Sequence, residues 1–75
     1  MRISYDAEVD ALHILFLETT VTTVHVAEGI ALDYAAAGRL AGIEVLDALK
    51  QLGDPEAFRR VVLEDIALTR PGQAA

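Results

Sequence analysis

His13 and His25 are the only histidines of the chain, and they are its side chains best suited to holding a metal ion or moving a proton near neutral pH. If Leu17 pairs with Val21 across a short loop, His13 falls opposite His25, because both pairs share one register. Two facing imidazoles could bind zinc or act as a proton switch. The arrangement is sensitive, because a one-residue slip of the pairing moves each side chain to the other face. Zinc would also need a third ligand, from Glu18 or from an oligomer mate. The competing reading puts each histidine at a strand edge or a subunit contact.

The acidic residues offer other chemistry. Asp6, Glu8 and Asp10 alternate as a calcium loop does at its start. Such a loop needs glycine at its sixth position and a bidentate acid at its twelfth. Counted from Asp6, those positions hold Ala11 and Leu17, so that loop is excluded. The triplet reads instead as a solvated turn in which Asp6 bonds nearby backbone amides. Glu44 and Asp47 share an apolar neighbourhood with Asp33, and paired carboxylates do acid–base work when their surroundings split their pKa values. Three residues apart on a strand, however, Glu44 and Asp47 face opposite sides. Asp47 is better placed to cap a helix beginning at Ala48. There is no cysteine, Ser4 lies outside any Gly-x-Ser-x-Gly motif, and the five glycines are scattered rather than gathered in a phosphate loop. No catalytic or cofactor-binding residue is assigned, and no cofactor is expected.

The elements that must position these groups are mostly strands. Ile3 and Tyr5 alternate with Arg2 and Ser4, as in a short first strand. Residues 11–18 make the strongest strand: Leu12, Ile14 and Phe16 point one way and His13, Leu15 and Leu17 the other. With both faces mostly apolar, this strand is expected to be central or covered on two sides. A tight connection at Glu18-Thr19-Thr20 leads to the β-branched run 21–26. Glu28-Gly29 is a second tight turn. Ile30, Leu32 and Tyr34 alternate with Ala31 and Asp33. After the loop at residues 35–39, a fifth strand runs from Leu40 to Leu46, with Gly42 marking a bulge.

Helical character begins after Asp47. Residues 48–52 have helical propensity and stop at Gly53. Asp54-Pro55-Glu56 has the cap, the first-position proline and the early acid of a second helix start. Phe58, Val61, Val62 and Ile66 would then share one face and pack on Leu12, Ile14, Phe16, Leu32 and Val45. Val61-Val62-Leu63 suits a strand as well, so residues 61–68 stay open between helix and strand. The fold class is therefore α+β: an antiparallel meander of four to five short strands followed by a C-terminal helix. Residues 1–70 form one compact domain and residues 71–75 a flexible tail.

Three stretches, taken together, carry a resemblance. They are residues 3–6 running on through Glu8 and Asp10 to Ala11-Leu12; Gly29-Ile30-Ala31-Leu32-Asp33-Tyr34; and Gly38-Arg39-Leu40-Ala41-Gly42-Ile43-Glu44-Val45-Leu46-Asp47-Ala48. In order and spacing, the first two thirds of the chain resemble domain-of-unknown-function family 2283, small and mostly bacterial proteins. The resemblance implies a compact, strand-rich fold and no established activity. Some members look like the small partners of toxin-like proteins, which implies an antitoxin-like role. This chain departs from the pattern at His13, where members often carry tyrosine. Ala35-Ala36-Ala37 replaces a turn that is usually acidic, and the segment after about Leu52 has no clear counterpart.

Composition sets the remaining limits. A chain of 75 residues, 53% of them hydrophobic and none of them cysteine, has one small core and no disulfide to reinforce it. Cores of this size supply only about 3–5 kcal/mol. A homo-oligomer is the expected remedy, since copies of the chain pool their cores. The net charge of −6, from 12 acidic and 6 basic residues, argues against nucleic acid as a partner and suits a small basic protein. No apolar stretch reaches the roughly 18 residues of a membrane span, and the N-terminus lacks the apolar core of a signal peptide. The expectation is a cytoplasmic homo-oligomeric interaction module. The alternative is a metal-binding sensor or enzyme using His13 and His25.

Overall fold

The computed structural model describes residues 1–66. Five strands, β1 (Arg2–Asp6), β2 (Ala11–Leu15), β3 (Thr22–Ala27), β4 (Ile30–Tyr34) and β5 (Leu40–Val45), precede one short helix, α1 (Ala48–Leu52). Each strand coincides with a run of alternating or β-branched residues, as the pleat requires. All neighbouring strands are antiparallel, in the order β1-β2-β5-β4-β3. The fold class expected from the sequence is present. The flexible tail expected at residues 71–75, and residues 67–70 of the expected domain, lie outside the described residues.

The sheet joins a β1–β2 hairpin to a β3–β4–β5 meander through the β2–β5 pair. In the first hairpin the Asp6 carboxylate accepts the Glu8 amide at 3.0 Å, the turn the sequence suggested. The second hairpin turns at Glu28-Gly29. A 3-10 turn at Ala36–Gly38 leads from β4 to β5. The β4–β5 register shifts between Asp33 and Tyr34, opposite Gly42 and Leu40, so a bulge sits at Ala41. Both Phe16 and Leu17 donate their amides to the Ala41 carbonyl, at 2.8 and 3.1 Å.

The β2–β3 hairpin inferred from the sequence is not formed. β2 ends at Leu15, and residues 16–21 carry the chain to the far edge of the sheet, leaving the place beside β2 to β5. The physical reason lies in the partner: Leu12, Ile14 and Leu15 lie against Val45, Ile43 and Gly42, a match of apolar and small residues. Central placement of β2 holds, since it pairs with both β1 and β5.

α1 spans the residues expected. It ends at Gly53, whose φ of 72° suits glycine and whose amide bonds the Leu49 and Lys50 carbonyls. The second helix expected over residues 54–66 is absent. Asp54 does accept the Glu56 amide at 2.9 Å, as a cap would. Two turn bonds follow, Ala57 N–H to Asp54 O and Arg59 N–H to Glu56 O, and the chain then leaves helical geometry. A helix this short gains little without a packed face, and consecutive valines at 61 and 62 lower its propensity. Val61, Val62 and Ile66 remain exposed rather than packing on the sheet. Phe58 alone arrives there: its ring stacks on Tyr5 with centroids 4.3 Å apart.

Among the described residues, no helix layer covers the sheet. The buried hydrophobic residues among those described are Ala31, Ala41 and Ala48, and no large side chain is fully buried. No described helix is long and apolar enough to cross a membrane.

Candidate functional site

Strand register sorts the side chains into two faces. Ser4, His13, Glu44, Ala31 and His25 form one row across all five strands. Leu15, Gly42, Asp33 and Thr23 form the row two residues along, and so share its face. The opposite face carries the row Ile3, Ile14, Ile43, Leu32 and Val24 and the row Tyr5, Leu12, Val45 and Ile30. One face is thus polar and titratable, and the other is apolar.

Asp33 is the hub of the polar face. It is 6% exposed, the one buried charged residue among those described. Thr23 donates its hydroxyl to Asp33 Oδ1 at 2.6 Å. His13 reaches across β5 from β2, bringing Nε2 to 3.6 Å from Asp33 Oδ2. That Nε2 atom is itself buried and has no hydrogen-bond partner among the described residues, while the His13 side chain as a whole is 40% exposed. Gly42 makes the crossing possible. A Cβ there would stand 3.1 Å from the Ile14 carbonyl and 3.2 Å from both Asp33 Oδ2 and His13 Nε2.

Glu44 adjoins the same carboxylate and divides the electrostatic roles. The Thr23 hydroxyl holds the Asp33 carboxyl below its ordinary value, helped by the Glu44 carboxyl and by His13, against burial, which pushes upward. Glu44 is raised, first by its hydrogen bond with Asp33, then by burial and the Asp33 charge; His13 and His25 oppose the rise. Of the two adjoining carboxyls, Glu44 is therefore the one that keeps its proton to higher pH, the pattern of carboxyls that cannot both ionise freely. Chemically the cluster is two adjoining carboxyls beside the His13 imidazole.

The two histidines do not face each other. His13 lies opposite Glu44 and Ser4, and His25 lies opposite Ala31, on the far edge strand. Two strands intervene, which separates their backbones by about 14 Å. Among the described residues, no group of three His, Asp or Glu side chains could hold a metal ion.

The other acids have structural work. Asp47 occupies the N-cap position of α1, with φ 50° and ψ 47°, but its side chain caps nothing. Asp10 does so from the first hairpin: its carboxylate accepts the Leu49 amide at 3.1 Å, and its carbonyl accepts the Ala48 amide at 2.9 Å. Tyr5 also donates its hydroxyl to Asp10, at 2.7 Å. That bond, with burial and the Asp10 and Asp6 charges, raises the Tyr5 pKa. Glu44 has Asp33 rather than Asp47 as its carboxyl neighbour. Ala31 and Asp33 are the buried pair of β4, whereas the sequence set them together opposite Ile30, Leu32 and Tyr34 without marking their face as the inward one. It lacked the β4–β5 register that joins Asp33 to Gly42 and Glu44.

A five-stranded antiparallel sheet with a buried aspartate on one face and a short terminal helix defines the class of protein. The family model described as "Protein of unknown function (DUF2283)" matches residues 2–48, more than half of the 75-residue chain, and the chain belongs to that family. The match takes in every strand and all residues of the polar cluster. No curated protein and no solved structure matches the chain.

Proposed function

We propose that the chain is a homo-oligomeric interaction module in which a second copy packs its sheet on the apolar face. One observation carries the reading. The row Ile3, Ile14, Ile43, Leu32 and Val24 crosses all five strands, and Ile3 and Val24, at its two ends, are each 44% exposed. An uncovered apolar sheet face is stabilised by a second layer. Burying one such side chain is worth about 1.5–3 kcal/mol.

A second copy fits this face chemically. The paired residues on it carry no charge, so two chains of net charge −6 can meet there without opposing carboxylates. Two such faces pack as a sandwich with sheets roughly 10 Å apart. An antitoxin-like role, with a small basic protein in that place, draws support from the net charge alone. Charge steers encounter more than it covers apolar surface.

A dilution series tests this reading. The melting midpoint of an oligomer depends on protein concentration. The wild-type midpoint is expected to fall on hundredfold dilution, and that of Val24→Lys to start lower and stay constant. A wild-type midpoint independent of concentration would refute the second copy.

A further inference from the structure

β1 is an edge strand: among the described residues it pairs with β2 alone. Its outer side presents a row of unpaired backbone groups, a template for one more strand. Arg60-Val61-Val62-Leu63-Glu64 has the character of that strand. Its two valines favour the pleat, its three apolar residues are exposed, and it lies outside every helix and strand. Asp65, with φ 54°, bounds it. Laid antiparallel to β1, Arg60 meets Asp6 and Glu64 meets Arg2, so an opposite-charge pair closes each end. Between them Val61 meets Tyr5 and Leu63 meets Ile3 on the apolar face, and Val62 meets Ser4 on the other. A parallel alignment would set like charges together at both ends. A slip of one residue would turn Val61 and Leu63 to the polar face. We propose that residues 60–64 close on the outer edge of their own β1 as a sixth, antiparallel strand in this register.

The fold delivers the segment to the correct end of β1. Asp10, in the turn that follows β1, holds the first amides of α1, so the chain passes into α1 beside that turn. The Phe58 ring then stacks on Tyr5, one residue from the Asp6 end, with centroids 4.3 Å apart. Arg60 lies two residues further on, a reach of about 7 Å. Neighbouring strands are only about 4.8 Å apart. In the structure the segment stands open at this point, a strap poised to close. Closure covers an edge on which other chains could otherwise add strand to strand. It also adds Val61 and Leu63 to the apolar face beside Tyr5 and Ile3. Edge closure and the apolar contact between copies use different surfaces, so either can fail without the other.

The chain has no cysteine, so an introduced pair reports on this contact alone. Directly opposed residues bring their Cβ atoms to about 4.5–5.5 Å, within reach of a disulfide after a small adjustment. The full chain carrying Ser4→Cys and Val62→Cys should oxidise to a disulfide within one chain, read by mass and by non-reducing electrophoresis. His25→Cys with Val62→Cys, on the opposite edge strand, should not. Adding Arg60→Glu and Glu64→Arg to the first pair should slow its oxidation by about fivefold or more, since like charges then oppose each other at both ends. Adding Arg2→Glu and Asp6→Arg as well should restore the rate. Cross-strand NMR contacts between residues 2–6 and 60–64 of the wild-type chain give a readout that needs no variant. Absence of those contacts in wild type, a Ser4–Val62 disulfide found only between chains, or an oxidation rate indifferent to the charge reversals would each overturn the assignment.

Discussion

Glu44 keeps its proton to higher pH than an exposed glutamate does, and this has a consequence for stability. Its folded pKa lies above the ordinary 4.5 because of the bond with Asp33, then burial, then the Asp33 charge. A carboxyl raised on folding contributes fully below its unfolded value and loses that contribution as pH rises through its folded value. Asp33, held below 3.8 chiefly by Thr23, behaves oppositely: its contribution is complete above 3.8 and disappears only on further acidification. The protein should therefore lose stability as pH rises from 4.5 through the elevated Glu44 value. Glu44→Gln keeps a neutral donor beside Asp33 at every pH. It should raise neutral-pH stability by about 1 kcal/mol, on the scale of one hydrogen bond, and flatten the decline. Thermal melts at several pH values check both outcomes. Gly42→Ala should destabilise by about 1–3 kcal/mol, the usual range for overpacking, because its Cβ meets the Ile14 carbonyl as well as the Asp33 and His13 side chains. Urea unfolding measures that loss. Both residues were visible in the sequence, Glu44 as a candidate acid and Gly42 as a break in a strand. Their connection was not, because it depends on which strand lies beside β5.

At the scale of elements, the strands were legible and their order was not. Alternation at Ile30, Leu32 and Tyr34 and β-branching at residues 22–24 are local signals, and the strands β3 and β4 coincide with them. Pairing β2 with β5 is a long-range choice that no local pattern encodes, and it removed the His13–His25 contact. The second helix failed for a related reason. Asp54-Pro55-Glu56 starts a turn correctly, yet Val61 and Val62 find no packed surface to extend it. The first helix persists because Asp10, on the opposite end of the β1–β2 turn, takes its Leu49 and Ala48 amides. Asp10→Ala should cost about 1–2 kcal/mol, the upper part of the range for a lost cap, since the Tyr5 hydroxyl loses its acceptor too. Asp47→Asn should change stability by less than about 0.5 kcal/mol, as for ordinary surface substitutions, because the Asp47 side chain caps nothing. Chemical denaturation of the pair distinguishes the residue that caps from the residue that merely occupies the cap position.

At the scale of the whole molecule, three buried alanines are the interior hydrophobics among the described residues, while Ile3, Phe16, Val24 and Leu40 keep more than two fifths of their surface in water. Among the described residues, a single layer of sheet with one five-residue helix has two faces and can shield little of either. On the polar face the Asp33 carboxylate is bonded by Thr23 over a small-residue floor of Ala31 and Gly42. The apolar face has no such cover among the described residues, and a second copy is proposed to complete it. Sedimentation equilibrium at micromolar concentration tests this most directly, in wild type and in a chain carrying Ile3→Lys and Val24→Lys together. The predicted result is a mass of at least twice 8.1 kDa for wild type and a single 8.1 kDa species for the double variant. A wild-type mass that stays at 8.1 kDa as concentration rises would contradict it.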